Sequence, residues 1–238
     1  MQSLRYFSEN TGGSPAFNQV FHYVLEGINS QKLRPGDVLY ETSLASELHM
    51  SRTPVRQALT KLVGEGFLET LPGKRGYHVP KLTQEDMREV FQMRKILEGK
   101  AAEFAAQEAR MEDVAYLRDL NELEKKYSLS REVHAYHEVN AEFHFTLVRL
   151  SANRYIEQIY HPVFWRSMLY VYFLGEFHPL ELDRLENDPN SPAEHRRITE
   201  AIADRDSNKA RELAEEHLRS TRAYRMSLES TKASLLLR

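Results

Sequence analysis

The sequence predicts a mainly α-helical protein made of two parts. Apolar residues recur every three or four positions through most of the chain, which is the spacing of one helix face. Strand patterns are confined to two short runs, 67–71 and 77–79, separated by the turn at 72–76. At 238 residues the chain has room for two ordinary domains. We therefore expect a helical domain with a small hairpin at 1–81 and a wholly helical domain at 82–238.

The first domain is expected to hold three helices before its hairpin. Residues 1–14 should form a loose arm, and 15–30 should form a helix whose apolar stripe packs beneath the others. A second, short helix follows Thr42 and Ser43 and stops near His49. The third helix begins two residues later.

This third helix is apolar on one face and basic on the other. Ser51 and Thr53 offer side-chain oxygens at its start, and Pro54 falls in its first turn, where a missing N–H costs little. Arg52 and Arg56 point away from the apolar side. The second and third helices meet across a three- or four-residue turn, which is the spacing of a helix-turn-helix, and the hairpin adds a wing. Such a helix can enter the major groove of DNA end-on.

The stretch PGDVLYETSLASELHMSRTPVRQALTKLVGEGFLETLPGKRGYHV resembles, over its whole length, the winged helix-turn-helix of the GntR family of bacterial transcription regulators. The resemblance implies contacts to operator phosphates and bases from Ser51, Arg52, Thr53 and Arg56, with Gly73 at the wing tip beside the minor groove. Arginine can bond guanine bidentately, whereas serine and threonine suit phosphates. The alternative is that the arginines only solvate an exposed face. The turn and the wing favour the DNA-binding interpretation.

Charge and cysteine content limit the other possibilities. Residues 51–81 carry six basic and two acidic side chains, a net charge of +4, whereas the whole chain has a net charge of −3. Residues 1–81 have a net charge of +2 and the rest of the chain −5, so only the first domain is suited to approach DNA. The chain has no cysteine, so disulfides and thiolate ligands are excluded. Without an apolar signal core or a long apolar run, we expect a cytoplasmic protein that does not enter a membrane.

The second domain is expected to be an antiparallel helical bundle that also dimerises. A capping pattern from Thr83 to Asp86 starts a long helix, and helical stripes continue in later segments. Those segments are 112–127, 131–152, 153–175, 192–203 and 207–228. Pro162 should kink the helix it lies in, and 176–190 is the longest break. Short connections between helices of this length are typical of a bundle.

Polar side chains from three helices are expected to converge inside this bundle. Asn140 and His144 are one turn apart on one face, and His195 and His217 lie on the inward faces of the last two helices. A single inward histidine is usually satisfied within the protein. Four polar groups together would be costly to bury unpaired, and a shared ion or ligand removes that cost. His137, one turn before Asn140, is an alternative ligand.

The segments NAEFH at 140–144 and EHRRITEAI at 194–202, with the later His217, resemble the metal-binding motifs of the FadR-type branch of the GntR family, whose effector domain is called FCD. The resemblance implies a divalent metal, zinc or nickel, held by an aspartate and three histidines beside a small carboxylate effector. This chain has Asn140 in place of the aspartate, a neutral and weaker ligand. If only the ligands are counted, all of them are neutral, so a bound ion would keep its full double charge and would attract an anion more strongly. Asn140→Asp should tighten metal binding.

Two arginines are candidates for holding the effector. Arg94 interrupts the apolar stripe of the long helix, in an R-x-x-L-E segment that resembles the first helix of the FadR-type effector domain. It either pairs with Glu98 one turn on or receives an anion in a cavity. Arg166, on the helix that contains Pro162, faces either the cavity or the surface.

The function that these features favour is transcription regulation. We expect a repressor that binds a near-palindromic operator as a homodimer and responds to a small organic acid, with the helix from Thr83 linking the two domains. One alternative is a metal-free regulator of the same family that senses a larger ligand such as an acyl-CoA. A metal-dependent hydrolase with a DNA-binding segment is another, but no His-Glu-x-x-His arrangement exists here. The sequence therefore predicts a protein that is not an enzyme.

Overall fold

The computed structural model describes residues 14–130, 132–174 and 191–236. In chain order its elements are α1 Pro15–Asn29, β1 Val38–Leu39, α2 Glu41–Glu47, α3 Arg52–Gly64, β2 Tyr77–His78, α4 Gln84–Glu108, α5 Met111–Ser130, α6 Val133–Leu150, α7 Arg154–Leu174, α8 Ser191–Ala203 and α9 Ser207–Leu236. The predicted mainly α fold is confirmed. The loop predicted at 176–190 and nearly all of the predicted arm lie outside the described residues.

The helix-turn-helix forms where the sequence predicts it, with one difference at the start of α3. His49 takes a φ of 53°, and this left-handed residue turns the chain between α2 and α3. Ser51 is the N-cap residue of α3, but its side chain makes no capping hydrogen bond. The predicted helix start is therefore correct, and the expected capping bond is absent.

The predicted hairpin is only partly correct. β2 pairs antiparallel with β1, a strand that the sequence pattern did not indicate. Segment 67–71 contributes a single bridge, between Glu69 and His78. Phe67 and Leu68 are buried, so their side chains hold this segment in the core and it does not extend along the wing. β1 has only two residues, too few to give an alternating pattern.

Helices α4 to α9 form the bundle. α9 lies along α4, α5 packs against α6 and α8, and α4 also contacts α6, α7 and α8. Thr83 caps α4 as predicted, because its hydroxyl accepts a hydrogen bond from the Asp86 backbone N–H at 3.1 Å. Pro162 lies inside α7. No helix in the described ranges is both long enough and apolar enough to cross a bilayer.

The two halves of the chain share a core at their junction. Phe67 stacks on Trp165 of α7, with the ring centroids 5.2 Å apart. Beside this pair, Gly66 has a φ of +82°, and a Cβ built on it would lie 2.5 Å from the backbone oxygen of Pro162. Only glycine meets both the backbone requirement and the close approach.

We expect Gly66→Ala to lower the free energy of unfolding more than Gly73→Ala does. Gly73 has a φ of +73° with nothing within 4 Å of its Cβ position, so its replacement costs only the left-handed backbone, about 1–2 kcal/mol. Gly66→Ala must also displace the backbone at Pro162, which adds roughly 1–3 kcal/mol. Urea unfolding of both variants measures the difference. Equal losses would contradict tight packing at the junction.

Candidate functional site

The residues predicted to contact DNA are all exposed at the start of α3 and at the turn before β2. They are Ser51, Arg52, Thr53, Arg56 and Gly73. The side chains of Arg52 and Arg56 are 59% and 60% exposed. Both guanidinium groups are therefore accessible to a duplex.

Glu41, the first residue of α2, is part of this surface although the sequence pattern did not indicate it. Its Oε2 lies 3.3 Å from Nη2 of Arg52 and 3.3 Å from Nε of Arg56. Its Oε1 accepts a hydrogen bond from the Tyr77 hydroxyl at 3.3 Å. Glu41 therefore holds the two guanidinium groups side by side. An acidic residue in a first helical turn is common, so the sequence gives little signal of this role.

Three of the predicted metal ligands converge in the bundle. One nitrogen each from His144, His195 and His217 lies within 4.8 Å of the other two, and all three rings are buried. The Nε2 atoms of His195 and His217 are 3.1 Å apart. His137 does not belong to this group among the described residues. We call these three rings the histidine cluster.

Each ring of the histidine cluster is bonded through Nδ1 to a different carboxylate. The bonds join His144 to Glu98 at 2.7 Å, His195 to Glu124 at 2.8 Å, and His217 to Glu194 at 2.7 Å. An ionised carboxylate can only accept, so Nδ1 donates in each ring, and a ring that is neutral keeps the lone pair of its Nε2. The same arrangement of carboxylate and histidine orients metal ligands in many proteins.

Burial and the neighbouring charges determine the ionisation of these groups. Burial alone raises the pKa of Glu98, but the charge of Arg94 and the bond to His144 hold that pKa well below its usual value. Burial likewise raises the pKa of Glu124, and the facing His195 brings it below normal. Burial lowers the pKa of His144 to about 3, against the opposing effect of Glu98. At neutral pH both carboxyls are therefore ionised and the His144 ring is neutral.

The donor set fits a divalent transition metal. Two lone pairs that face each other across 3.1 Å repel unless a cation or a proton lies between them. Two nitrogens bound to one tetrahedral zinc ion at about 2.0–2.1 Å lie about 3.3 Å apart, close to this separation. Neutral imidazole is a favoured ligand of zinc and nickel. The histidine cluster could therefore hold such an ion.

Asn140 is joined to the cluster through Glu124, a residue outside the sequence motifs at 140–144 and 194–202. The Asn140 amide Nδ2 donates to Oε1 of Glu124 at 2.9 Å, and Glu124 is fully buried. The expectation that a bound ion would keep its full double charge does not hold, because ionised Glu98 and Glu124 bond directly to the rings. Glu124 follows Leu117 and Asn121 at the spacing of the buried face of α5, so this helical period is the sequence signal that could have found it.

Arg94 is buried, and both alternatives raised for it have support. Its Nε donates to Glu98 at 2.7 Å and its Nη1 to the Ser167 hydroxyl at 3.1 Å. Its Nη2 is buried and has no hydrogen-bond partner among the described residues. An unsatisfied buried donor is costly, and an anionic ligand would satisfy it. The pair with Glu98 is present, and an anion-binding role stays a prediction.

Arg166 lies at the junction of the two halves. Its Nε and Nη2 both donate to the carboxylate of Asp86 at 3.0 Å, and its Nη1 is 3.7 Å from Glu69. These partners tie α7 to the start of α4 and to the segment before β2. Within the described ranges its ion pairs do not involve the histidine cluster, and the effector-binding role for Arg166 stays a prediction from sequence.

Helix α7 contacts both the histidine cluster and the DNA-binding half. On one side, the Tyr160 hydroxyl donates to Glu98 at 2.8 Å, and the Phe164 ring lies 5.8 Å from the His144 ring. Its contacts to the first domain include His161 at 3.6 Å from Glu65, Pro162 beside Gly66, and Trp165 on Phe67, in addition to the Arg166–Glu69 pair. Besides α4, which the sequence predicts to link the two domains, α7 therefore also connects the histidine cluster to the DNA-binding half.

A winged helix-turn-helix with two exposed arginines on its second helix, followed by a helical bundle, indicates a DNA-binding transcription regulator as the class of this protein. Residues 17–79 match the model of the gntR family of bacterial regulatory proteins, and residues 89–220 match the FCD domain. The chain belongs to the GntR family, in the branch that carries an FCD domain.

Relatives and solved structures agree with this assignment. The Nta operon transcriptional regulator of Aminobacter aminovorans is 38% identical over 124 residues, which span 52% of this chain and 58% of that protein. YdhC of Bacillus subtilis, an uncharacterized HTH-type transcriptional regulator, is 28% identical over 86% of this chain and 87% of its own. The structure of E. coli McbR/YncC superposes with a TM-score of 0.70 at 22% identity, covering 90% of this chain and 99% of that one. This last likeness shows the fold.

Proposed function

We propose that this chain is a cytoplasmic, homodimeric repressor whose binding to operator DNA is controlled by a small carboxylate bound beside a divalent metal, zinc or nickel. The observation that carries the proposal is the set of three Nε2 lone pairs in the histidine cluster, each ring fixed by its own carboxylate. The exposed pair Arg52 and Arg56 supports the DNA-binding part.

His144, His195 and His217, with the side-chain oxygen of Asn140, would hold the metal. When bound, the metal supplies a positive charge that attracts the carboxylate of an effector. Arg94 would donate its unpaired Nη2 to the same anion, because no protein group satisfies that atom in the described structure. Arg166 is a further candidate for effector binding, because the sequence pattern places it on the helix that contains Pro162.

The effector must favour one placement of the DNA-binding half over another, because a ligand shifts an equilibrium only through differential affinity. Arg94 on α4 also bonds Ser167 of α7 through its Nη1, so an anion bound at its Nη2 would lie where these two helices meet. Helix α7 in turn faces Glu65, the C-cap residue of α3. Movement of α7 would therefore change where the DNA-contacting helix sits.

The experiment that tests the proposal uses DNA selected from a random duplex pool by the zinc-loaded protein. A panel of small hydroxy, keto and dicarboxylic acids is then added to the complex. We expect one chemical class of acid to release the DNA, and to do so only when metal is present. Selection of no specific sequence, or release that is unchanged after chelation, would contradict the proposal.

We expect Arg94→Ala to keep DNA binding and to reduce the effector response, because the variant loses the donor to the anion. Removing one partner of a buried pair costs about 3–5 kcal/mol, so Arg94→Lys, which keeps the charge near Glu98, is the companion variant. The measurement is the thermal shift given by the acid that is active on the wild type. Arg88→Lys, at an exposed position of the same helix, is the control. If the acid gives both Arg94 variants the same thermal shift as the wild type, Arg94 does not take part in effector binding.

A further inference from the structure

Glu124 occupies a position in the buried cluster that neither the sequence motif nor the family comparison indicates. One carboxylate oxygen accepts from Nδ2 of Asn140 at 2.9 Å, and the other lies 2.8 Å from Nδ1 of His195. Its side chain is fully buried. A single carboxylate on α5 therefore bonds to two of the four residues that would hold the metal, one on α6 and one on α8.

The bond to Glu124 fixes which way the Asn140 amide points. A carboxylate can only accept hydrogen bonds, so the amide nitrogen must face Glu124. The amide oxygen, the one atom of this group that can bind a metal, then lies on the other branch of the side chain. An asparagine without such a partner could present either atom, and its nitrogen cannot bind a metal.

The charges around the histidine cluster favour asparagine at position 140. The three rings bond to three carboxylates, those of Glu98, Glu124 and Glu194, and Glu98 is paired with one guanidinium. With neutral rings this set has two excess negative charges, which one divalent cation balances. An aspartate at position 140 would add a third excess charge and would place two carboxylates in contact.

We propose that Glu124 supplies, from outside the ligand set, the negative charge that the family motif places at position 140, and that it orients Asn140 and His195 as neutral ligands. The proposal rests on the metal site of the proposed function and goes beyond it. Glu124 acts here as a positioning residue that does not itself bind the ion. Position 140 stays the ligand, and only the negative charge has moved, to the contacting residue Glu124.

The test is an exchange of side chains, with zinc affinity measured by chelator competition on the full chain. Glu124→Gln should weaken zinc binding by about 10- to 100-fold, the range typical for an outer partner of a metal ligand. The double variant Glu124→Gln with Asn140→Asp places the charge back at position 140 and should return to within about threefold of the wild-type affinity. Glu142→Gln, which removes a carboxylate two residues from Asn140 that bonds Tyr116 and Arg149, should leave the affinity unchanged.

A second measurement keeps the test informative if Glu124→Gln folds poorly. Asn140→Asp alone should lower the melting temperature of the metal-free protein, because two carboxylates then face each other, and Glu124→Gln in the same chain should restore it. The tightening by Asn140→Asp that the sequence predicts is thus expected only when Glu124 is replaced. The inference is overturned if Glu124→Gln binds zinc within threefold of the wild-type affinity, or if the double variant binds zinc no more tightly than Glu124→Gln. Either result leaves the proposed metal site standing. A wild-type chain that binds no zinc overturns the proposed metal site as well.

Discussion

Replacing Arg52 and Arg56 together with alanine is expected to weaken binding to the selected DNA site on the order of 100- to 1,000-fold. Each arginine that reads a base contributes about 1–3 kcal/mol, and 1.4 kcal/mol is tenfold in affinity. The change also leaves Glu41, which bonds both guanidinium groups, as an unpaired negative charge on the surface that faces DNA. Repulsion between this carboxylate and the phosphates adds to the loss.

The measurement is a fluorescence anisotropy titration of a labelled duplex at several salt concentrations. The matched control replaces Arg197 and Arg219 with alanine, which removes the same charge from arginines of α8 and α9 that are 53% and 57% exposed. We expect this control to bind within about threefold of wild type, since only long-range charge is lost. Equal weakening in the two double variants would mean that Arg52 and Arg56 act only through net charge.

Zinc is expected to raise the melting temperature of the chelator-treated protein by about 8–16 °C. A ligand at 1,000 times its dissociation constant stabilises by about 4 kcal/mol, and each kcal/mol shifts a protein of this size by roughly 2–4 °C. His217→Gln should abolish most of this shift, because the amide cannot replace the neutral ring that faces His195 at 3.1 Å. Differential scanning fluorimetry, with metal content by atomic spectroscopy, gives both quantities.

The control for this prediction is His161→Gln, which replaces a half-buried histidine of α7 outside the histidine cluster. It should keep the full response to zinc. Nickel in place of zinc identifies the preferred ion, because the neutral nitrogen ligands suit both. A wild-type protein that melts at one temperature with and without metal would favour the metal-free sensor of a larger ligand that the sequence left open.

The fold was largely predictable because it depends on local patterns. The start of α3 at Ser51, the cap of α4 at Thr83 and the inward positions of His144, His195 and His217 all follow from spacing along single helices. The hairpin was harder to predict, because two-residue strands carry no period and their pairing is decided by residues distant in sequence.

The sequence by itself determined which residue types face inward on each helix, and so it identified a helix-turn-helix, a bundle and three convergent histidines. Only the tertiary structure decided the partners of those residues. Glu124 bonds Asn140 and His195, and Glu41 bonds Arg52. Helical spacing places Glu124 on the inward face of α5 but does not identify these partners. Helix periodicity is set by each segment alone, whereas an ion pair between helices depends on how their faces meet, which no single segment encodes.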